Sequence, residues 1–507
     1  MKLPFAGRRF REPRHSLYRR TFNYRFVANM IGILCLIQVV ALLSAVGVSL
    51  YYYDSGIQPL AITAAIMAVT GGLLVFLGHR SRELETGRRE SLVTVTLSWF
   101  IISAIGMLPY YLGGVVPTLA DAFFETISGF TTTGASVIPV PEEVPRSLLF
   151  WRSITQWEGG IGIVVFLVAL IPMTGESASL VYNNETTGVT HDRFLPRVGE
   201  MAKWMMIIYL SLTALCIVLL ILGPMELFDA VCHAFTCIST GGFSTRALSL
   251  AYWDSGVVNL IADIFMFIGA VNFTLIYYAI SKKDPTQILK DSEFRWYVGF
   301  VFVLSVFGII GLSIQGPEGV YTFWGTISAS VTQVISIVTT TGYAVGDYNL
   351  WGPLFSFVVL IGMFVAGCSG STSGGLKVVR LEILAKSLSN ELLKRTHPNA
   401  IRAVRVGGHA LSSDVVLSVM TFFVAYLSLI GFGTIVVALD GFDLKESLVA
   451  AVSCVSNSGG SLGTIGPLVG FGALSPVTKV ILSFLMVMGR LEIFTILSIL
   501  HPGFWRN

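Results

Sequence analysis

The chain has 507 residues, of which 54% are hydrophobic and 12% charged, with a formal net charge of +3. A soluble domain carries about 25% charged residues, so this composition excludes a soluble globular enzyme and predicts a polytopic membrane protein. The six cysteines lie in or beside apolar runs and form no C-x-x-C pair. This pattern argues against a zinc site and against a disulfide framework.

The N-terminal segment, residues 1–25, is strongly basic, with eight lysines and arginines against one acid, Glu12. Such a segment could contact nucleic-acid phosphates. Its position directly before a spanning helix favours a role in membrane topology or contact with anionic lipid. We therefore expect a cytoplasmic N-terminus, contact with membrane lipid and no nucleic-acid partner.

Ten apolar runs are long enough to be transmembrane candidates. They lie at residues 26–53, 59–78, 91–112, 147–172, 201–223, 256–280, 297–314, 353–368, 413–438 and 477–500. Lysine and arginine are concentrated in alternate loops, so the positive-inside rule predicts that both termini are cytoplasmic. Between some of the runs lie shorter apolar stretches, near residues 119–130, 228–239, 323–338 and 446–456. They are too short to cross and predict re-entrant half-helices on the outer side.

The four short stretches align with one another without a gap. They read AFFETISGFTTTGAS (122–136), AVCHAFTCISTGGFS (230–244), SVTQVISIVTTTGYA (330–344) and SLVAAVSCVSNSGGS (447–461). One copy alone would be interpreted as a turn that ends a short helix. Four aligned copies, each between spanning helices, instead predict a helix–half-helix–loop–helix unit repeated around a common axis. The glycines that they share are Gly134, Gly242, Gly342 and Gly459.

The chemistry of these loops indicates a cation site. Glycine permits positive φ angles, so successive carbonyl groups can point the same way. Rings of carbonyl oxygens replace the hydration shell of a cation in potassium-channel filters. The C-terminal end of each half-helix adds negative potential. No charged side chain is present at 131–136, 239–244, 339–344 or 457–462.

At these residues the chain resembles the TrkH/KtrB/HKT superfamily of potassium transporters, and its TrkH branch in particular. Further matching stretches are WRSITQWEGGIGI (151–163), GCSGSTSGGLKVVR (367–380) and GRLEIFTIL (489–497). The resemblance implies an all-α polytopic fold, with four helix–pore-helix–loop–helix repeats around a central pore and two extra N-terminal transmembrane helices. The expected boundaries are 1–25 for the basic N-terminus, 26–90 for the extra helices, and 91–173, 200–281, 295–386 and 412–507 for the repeats.

The resemblance also assigns the filter. Its residues would be Thr132, Thr133, Gly134, Thr240, Gly241, Gly242, Thr340, Thr341, Gly342, Asn457, Ser458 and Gly459. Glycine at position 134 favours potassium, because serine there is associated with sodium passage in some plant relatives. The fourth loop reads N-S-G-G-S where relatives commonly carry N-x-G-P-G. This difference predicts a less constrained segment at Gly460 and Ser461.

A second candidate element interrupts the eighth predicted span at residues 362–379, where glycine, serine and threonine replace apolar residues. Irregular backbone at membrane depth is tolerated only where it lines a cavity or is buried in protein. A phosphate-binding P-loop is excluded because Leu376, not glycine, precedes Lys377. The resemblance implies a gate below the filter. Its residues would be Gly367, Gly370, Ser371, Thr372, Gly374, Gly375 and Arg490.

Two alternatives to this gate remain open. The glycine-rich segment could be a helix kink without a gating role. Arg490, in the last predicted span, is a functional hypothesis by default; it could form a barrier or bond the gate, or pair with Glu492 or a neighbouring helix. Polar residues elsewhere in apolar segments are interpreted as hydrogen-bonding or packing groups. They are Glu125, Glu158, Asp263 and His233.

The resemblance implies potassium uptake across a bacterial inner membrane, with K⁺ as the transported ion and no enzyme activity. We expect no covalent or nucleotide cofactor and no transition-metal site. TrkH-like proteins work as homodimers with a cytosolic TrkA-type nucleotide-binding subunit, so regulation in trans is expected, with basic loops at 282–295 and 377–405 as docking surfaces. Symport of K⁺ with Na⁺ or H⁺, and a broken-helix secondary transporter of another solute, remain alternatives.

Overall fold

The computed structural model describes residues 22–79, 88–162, 198–317, 321–399, 402–466 and 469–505. Most of the predicted basic N-terminus and residues 163–172 of the predicted span 147–172 lie outside these ranges. The described part is dominated by α-helices. In chain order these are α1 (Tyr24–Tyr52), α2 (Ile57–Gly78), α3 (Arg88–Gly106), α4 (Leu108–Leu112), α5 (Leu119–Phe130), α6 (Arg146–Ile161), α7 (Val198–Leu222), α8 (Leu227–Ile238), α9 (Gly256–Gly269), α10 (Phe273–Ser281), α11 (Thr286–Lys290), α12 (Ser292–Gln315), α13 (Phe323–Val338), α14 (Gly352–Phe364), α15 (Val378–Thr396), α16 (Ser413–Ala438), α17 (Leu444–Ser456), α18 (Pro476–Arg490), α19 (Phe494–Leu500) and α20 (Pro502–Trp505).

The length and hydropathy of the helices define a multi-pass membrane protein. Among the described residues, six helices are long and apolar enough to cross a membrane, or eight if two bent pairs each count as one span. The bent pairs are α9 with α10, at 92°, and α18 with α19, at 114°. Two of the ten predicted spans correspond to shorter described helices, α6 and α14. The count of ten therefore stays a prediction.

Short helices are present at the four places where the sequence predicts them. They are α5, α8, α13 and α17, of 12, 12, 16 and 13 residues. Three of them begin at a side-chain cap, in which the oxygen of Thr118, Thr322 or Asp443 accepts a backbone N–H of the first turn. Such caps satisfy donors that a helix start leaves unpaired. The C-terminal half of each helix is buried, and each leads into one of the glycine loops.

Helices α1 and α2 form a tightly packed hairpin. A Cβ on Gly32 would lie 2.8 Å from the carbonyl oxygen of Gly71, so the two backbones approach as closely as small residues permit. The loop between them joins the hairpin to α6. There the Asp54 carboxylate accepts the backbone N–H of Ser147 at 2.8 Å and its hydroxyl at 2.7 Å.

Two short sheets complete the described structure. Strand β1 (Val365–Ala366) pairs in parallel with β2 (Leu376–Lys377), and together they close the glycine-rich loop between α14 and α15. Strands β3 (Arg405–Val406) and β4 (His409–Ala410) form an antiparallel hairpin after α15. The sequence predicted the irregular segment after α14 but not the strand pair at its base.

Candidate functional site

The four glycine loops adopt one backbone conformation. In each loop the filter glycine and the residue two positions before it have positive φ. The angles are 53° at Thr132, 80° at Gly134, 53° at Thr240, 80° at Gly242, 61° at Thr340, 84° at Gly342, 56° at Asn457 and 66° at Gly459. A non-glycine residue in this region costs about 1–3 kcal/mol unless its surroundings hold it there. Four segments far apart in the chain therefore share an unusual conformation that the fold must support.

The filter glycines also form a closed ring. Each filter glycine packs against a carbonyl oxygen of the next loop, that of the residue directly before the next filter glycine. A Cβ added to the glycine would lie closer than 3.0 Å to this oxygen. The contacts are Gly134 with Gly241, Gly242 with Thr341, Gly342 with Ser458, and Gly459 with Thr133. The fourth loop thus returns to the first. Real Cβ atoms do not approach backbone so closely, so only glycine fits at these positions without a backbone shift.

The ring borders a cavity of about 80 Å³. All four filter glycines line it, together with the residues two positions after each of them: Ser136, Ser244, Ala344 and Ser461. A cavity of this size has room for water or a small ion. Two arginines, Arg152 and Arg246, also border it. Both are neutralised, since Arg152 pairs with Glu125 at 2.6 Å and Arg246 with Asp229 at 2.7 Å.

Each pore helix is bonded to its own loop. In each loop the residue directly before the filter glycine donates its backbone N–H to a carbonyl oxygen of the pore helix. That carbonyl belongs to the residue six positions before the glycine. The pairs are Ser128 with Thr133 (2.9 Å), Thr236 with Gly241 (2.8 Å), Ser336 with Thr341 (2.8 Å) and Ser453 with Ser458 (3.0 Å). These bonds tie the start of each filter segment to the last turn of the helix.

Polar side chains on three pore helices hold the segment after the glycine. Glu125 accepts the N–H of Val137 at 2.8 Å, and Gln333 accepts that of Val345 at 3.2 Å. His233 contacts the Ser244 hydroxyl at 3.0 Å through Nε2. Each lies nine positions before its filter glycine. From the sequence, Glu125 and His233 have only a general hydrogen-bonding or packing role and Gln333 has none; the polar residues at this position in three of the four aligned copies are the signal that points to Gln333.

The fourth pore helix carries Ala450 at that position, and its loop is held by neighbours instead. Asn457 donates through Nδ2 to the Thr133 hydroxyl and to the Met486 carbonyl, both at 2.9 Å. The N–H of Ser461 donates to the Tyr348 hydroxyl at 3.2 Å. Near its glycine the fourth loop therefore depends on contacts with other parts of the chain, and its own helix holds it further along, where the Glu446 carboxylate accepts the N–H of Thr464 at 2.6 Å.

The glycine-rich loop, Gly367–Gly375, contacts the start of three filter segments, whereas the cavity is lined by their ends. The Thr372 hydroxyl lies 3.2 Å from that of Thr240, and the N–H of Gly374 donates to the Thr340 hydroxyl at 3.1 Å. A Cβ on Gly374 would lie 2.7 Å from that of Asn457. All three contacts involve the positive-φ residue of a filter loop. The loop therefore lies across the ring from the cavity.

Other elements fasten this loop. It fills the break between α9 and α10, where the Ala270 carbonyl accepts the N–H of Cys368 at 2.8 Å and the N–H of Phe273 donates to the Gly370 carbonyl at 3.1 Å. The Glu293 carboxylate accepts the N–H of Ser369 at 2.6 Å. Lys377, considered from the sequence as a P-loop lysine and as part of a basic loop but not as part of the gate, donates to the Ser373 carbonyl. A lysine directly after a glycine-rich membrane segment was the signal that could have identified it.

Arg490 is the last residue of α18 and links the loop to α6. Its guanidinium donates to the Thr372 carbonyl at 2.6 Å, to the Gly159 carbonyl at 2.5 Å and to the Gly160 carbonyl at 3.1 Å. Glu492, considered from the sequence as its partner, forms an ion pair with Arg380. The geometry thus brings Arg490 and Thr372 together.

The site contains no cluster of conventional metal ligands in the described ranges: no three histidine, cysteine, aspartate or glutamate side chains are grouped for a metal ion. The polar groups of the four filter segments themselves are backbone groups, hydroxyls and the Asn457 side chain. These features define the class, a multi-pass helical membrane protein in which four short helices bring glycine loops into one ring.

Comparison with known proteins identifies the family. A sequence model of the TrkH family, described as cation transport protein, matches residues 56–502. The Trk system potassium uptake protein TrkH of Vibrio parahaemolyticus is 34% identical over 490 residues, which cover 96% of this chain and all of that protein. Escherichia coli K12 TrkH is 34% identical over 488 residues with the same coverage. The crystal structure of the potassium transporter TrkH from V. parahaemolyticus aligns with a TM-score of 0.86 at 33% identity, covering 96% of this chain and all of that one.

The chain belongs to the TrkH family. The predicted family and fold class are thereby confirmed. Because the relatives are named as potassium uptake proteins, the chain is a transport protein and not an enzyme.

Proposed function

We propose that the chain takes up K⁺ across a bacterial inner membrane through one pore, and that the glycine ring is its selectivity filter. The observation that carries this proposal is the closure of the ring, in which each filter glycine packs against a carbonyl of the next loop. Backbone carbonyls in such a ring can replace the hydration shell of a potassium ion. The names of the relatives, potassium uptake proteins, support the choice of ion.

The ion would be coordinated by the twelve residues that begin at the first positive-φ position of each loop and end at its glycine. They are Thr132, Thr133, Gly134, Thr240, Gly241, Gly242, Thr340, Thr341, Gly342, Asn457, Ser458 and Gly459. The buried C-terminal ends of the four pore helices add negative potential at the same place. No resident metal or cofactor enters this mechanism, because K⁺ is the cargo.

The segment Gly367–Gly375 and Arg490 act as the gate in this proposal. Bonds from the segment to Thr240 and Thr340 hold it against the filter, so an ion that leaves the filter meets protein backbone. The guanidinium of Arg490, bonded to Thr372, places a positive charge beside that backbone. Like charge repels the cation across a short distance in a low dielectric. Opening therefore requires release of Thr372.

The family relationship also supports a proposal about assembly and regulation. We propose a homodimer, both termini in the cytoplasm, and control by a TrkA-type nucleotide-binding subunit that docks on the basic segments 282–295 and 377–405. The second of these, expected from the sequence as a loop, is mostly helix α15. The designation "Trk system" of the relatives supports a multi-component assembly. The repeats would occupy 91–173, 200–281, 295–386 and 412–507, after two additional helices within 26–90.

Growth of a potassium-uptake-deficient bacterium at low potassium tests the proposal. The full chain, expressed with the regulatory subunit, is expected to restore growth. Gly431→Ser provides a control, because a Cβ on this α16 glycine meets no atom within 4 Å; this variant is expected to restore growth equally. Failure of the membrane-inserted intact chain and its control to restore growth would contradict potassium uptake.

A further inference from the structure

The second filter loop differs from the other three in how it is braced. In those three, the residue directly before the filter glycine carries a hydroxyl that bonds the hydroxyl two positions earlier. The pairs are Thr133 with Thr131 (2.7 Å), Thr341 with Thr339 (2.8 Å) and Ser458 with Ser456 (3.0 Å). In the second loop this position is Gly241, which has no side chain. Ser239, the counterpart of Thr339, keeps only the bond to its own helix: it donates to the Thr236 carbonyl at 3.3 Å, as Thr339 donates to the Ser336 carbonyl at 3.2 Å.

Gln156 of α6 occupies the place that a side chain at position 241 would take. A Cβ on Gly241 would collide with the Gln156 carboxamide. Gln156 is fully buried; its Nε2 donates to the Gly241 carbonyl at 2.7 Å, and its Oε1 accepts the N–H of Phe243 at 3.0 Å. Because a backbone N–H can only donate, the second bond fixes the orientation of the amide. One side chain therefore holds both flanks of Gly242.

The carbonyl that Gln156 binds is part of the ring. It is the Gly241 oxygen against which Gly134 of the first loop packs. One helical turn before Gln156, Arg152 donates to the Ser244 carbonyl at 2.8 Å, and its guanidinium carbon lies 3.6 Å from the centre of the Phe243 ring. Residues four apart share one helix face. The same face of α6 thus holds the second loop along its length.

We propose that Gln156 is a selectivity-determining positioning residue, which supplies from α6 the brace that a hydroxyl pair supplies within each of the other loops. It acts through the Gly241 carbonyl and sets the position of that oxygen relative to the first loop. The two residues depend on each other, because the absence of a side chain at Gly241 leaves the space that the Gln156 carboxamide fills. The inference rests on the proposed potassium function and deepens it, because it assigns a residue outside the four loops to the filter.

The first experiment separates selectivity from folding. Gln156→Met keeps the length of the side chain but removes both hydrogen bonds. In proteoliposomes containing the full chain and its regulatory subunit, we expect the ratio of K⁺ to Na⁺ uptake to fall by about tenfold, because the Gly241 oxygen loses the bond that fixes its position in the ring. Ser153→Ala is the control on the same helix, where the hydroxyl donates to the Leu149 carbonyl at 3.0 Å. A ratio within twofold of the intact chain, including one accompanied by lower total flux or stability, would overturn the proposal.

A second experiment does not depend on transport. The variants Gly241→Ser, Gln156→Ala and their combination are compared by thermal unfolding. We expect Gly241→Ser to lower the melting temperature much more in the presence of Gln156 than in the Gln156→Ala background, where the new hydroxyl has room near Ser239. Additive effects of the two changes would contradict the shared site.

The two experiments distinguish this inference from the proposed function. Potassium uptake by the intact chain with an unchanged ratio in Gln156→Met would overturn the inference alone. Absence of potassium uptake by the intact chain would contradict the proposed function and with it the selectivity role. The comparison of melting temperatures would then still show whether the Gln156 side chain occupies the space of a side chain at position 241.

Discussion

Single residues at the ring carry two separate constraints. Gly134, for example, has a φ of 80°, and a Cβ there would collide with the Gly241 carbonyl. The first constraint is conformational and disfavours any side chain. The second is steric and acts on a neighbouring loop, so a substitution at one glycine displaces an oxygen of the next. Conformation alone would permit asparagine, as Asn457 shows at φ 56°; the steric contact does not.

The sequence predicted these glycines because the same letters recur four times. It could not predict Gln156, since that residue lies on a helix of the first unit and contacts a loop of the second. Nothing in the spacing of QWEGG indicates which carbonyl its amide meets. Residues that act within one copy are visible in an alignment of copies, whereas residues that act between copies become visible only in the folded chain.

Arg490 supports a prediction at the same scale. Arg490→Gln removes the charge and the guanidinium that holds the Thr372 carbonyl. We expect higher potassium flux, because the gate segment loses its link to α18 and the path loses a positive charge. The measurement is flux into proteoliposomes at matched protein content. Arg25→Gln, at the exposed start of α1 and outside the proposed docking segments, should leave flux unchanged. Unaltered or lower flux in a folded Arg490→Gln protein would argue against the gate.

Among the secondary-structure elements, the short pore helices were predictable and the bends were not. The runs 256–280 and 477–500 are predominantly apolar, so composition predicts one continuous span for each. The structure breaks them by 92° and 114°. At the first break the backbone groups of Ala270 and Phe273 form hydrogen bonds to the gate segment. The cause is thus a tertiary contact with residues about 100 positions later in the chain, which a local pattern does not contain.

The α1–α2 hairpin is joined to α6 by a carboxylate outside the spanning segments. Burial alone would raise the pKa of Asp54, but hydrogen bonds from Ser49, from Ser147 and from the Gly56 amide hold that pKa below its usual value. A group with a lowered folded-state pKa stabilises the fold above its unfolded pKa, about 3.9 for aspartate. That contribution is lost as the pH falls through the folded-state pKa.

The effect of Asp54→Asn on the free energy of unfolding should therefore depend on pH. At pH 7 we expect the substitution to lower the free energy of unfolding by about 1 kcal/mol, because an amide oxygen accepts the Ser49, Ser147 and Gly56 hydrogen bonds more weakly than a carboxylate does. The difference from the intact chain should shrink in acid, below the usual aspartate pKa. Unfolding in detergent at both pH values measures this. Asp414→Asn, at the exposed start of α16, is the control. A pH-independent difference would show that the charge of Asp54 is not the cause.

For the molecule as a whole, closure of the ring requires the last part of the chain to pack against the first. The contact is a buried ion pair between Lys479 of α18 and Asp121 of α5, with Nζ 2.6 Å from Oδ1. Lys479 also donates to the Gly472 carbonyl at 2.8 Å. Four aligned copies in the sequence suggested a ring, but the order of its members and the residues that close it depend on packing between distant segments.

A double-mutant cycle measures this closure. Lys479→Met alone leaves the Asp121 carboxylate buried without its cation, which typically costs about 3–5 kcal/mol. Lys479→Met combined with Asp121→Asn removes both charges, and we expect part of that stability to return. Thermal unfolding of the full chain, intact and in the three variants, provides the comparison. Strictly additive losses would indicate that the pair does not couple the two ends of the ring.

The central claim is that the four glycine loops form one potassium-selective filter. Its most direct test compares K⁺ and Na⁺ uptake by proteoliposomes containing the regulatory subunit and either the intact chain, Gly134→Ser or the control Gly431→Ser. The ring predicts that the intact chain and the control admit K⁺ in preference to Na⁺, and that Gly134→Ser loses much of this preference because the serine displaces the Gly241 carbonyl. An unchanged preference in a folded Gly134→Ser protein would contradict the assignment of the filter.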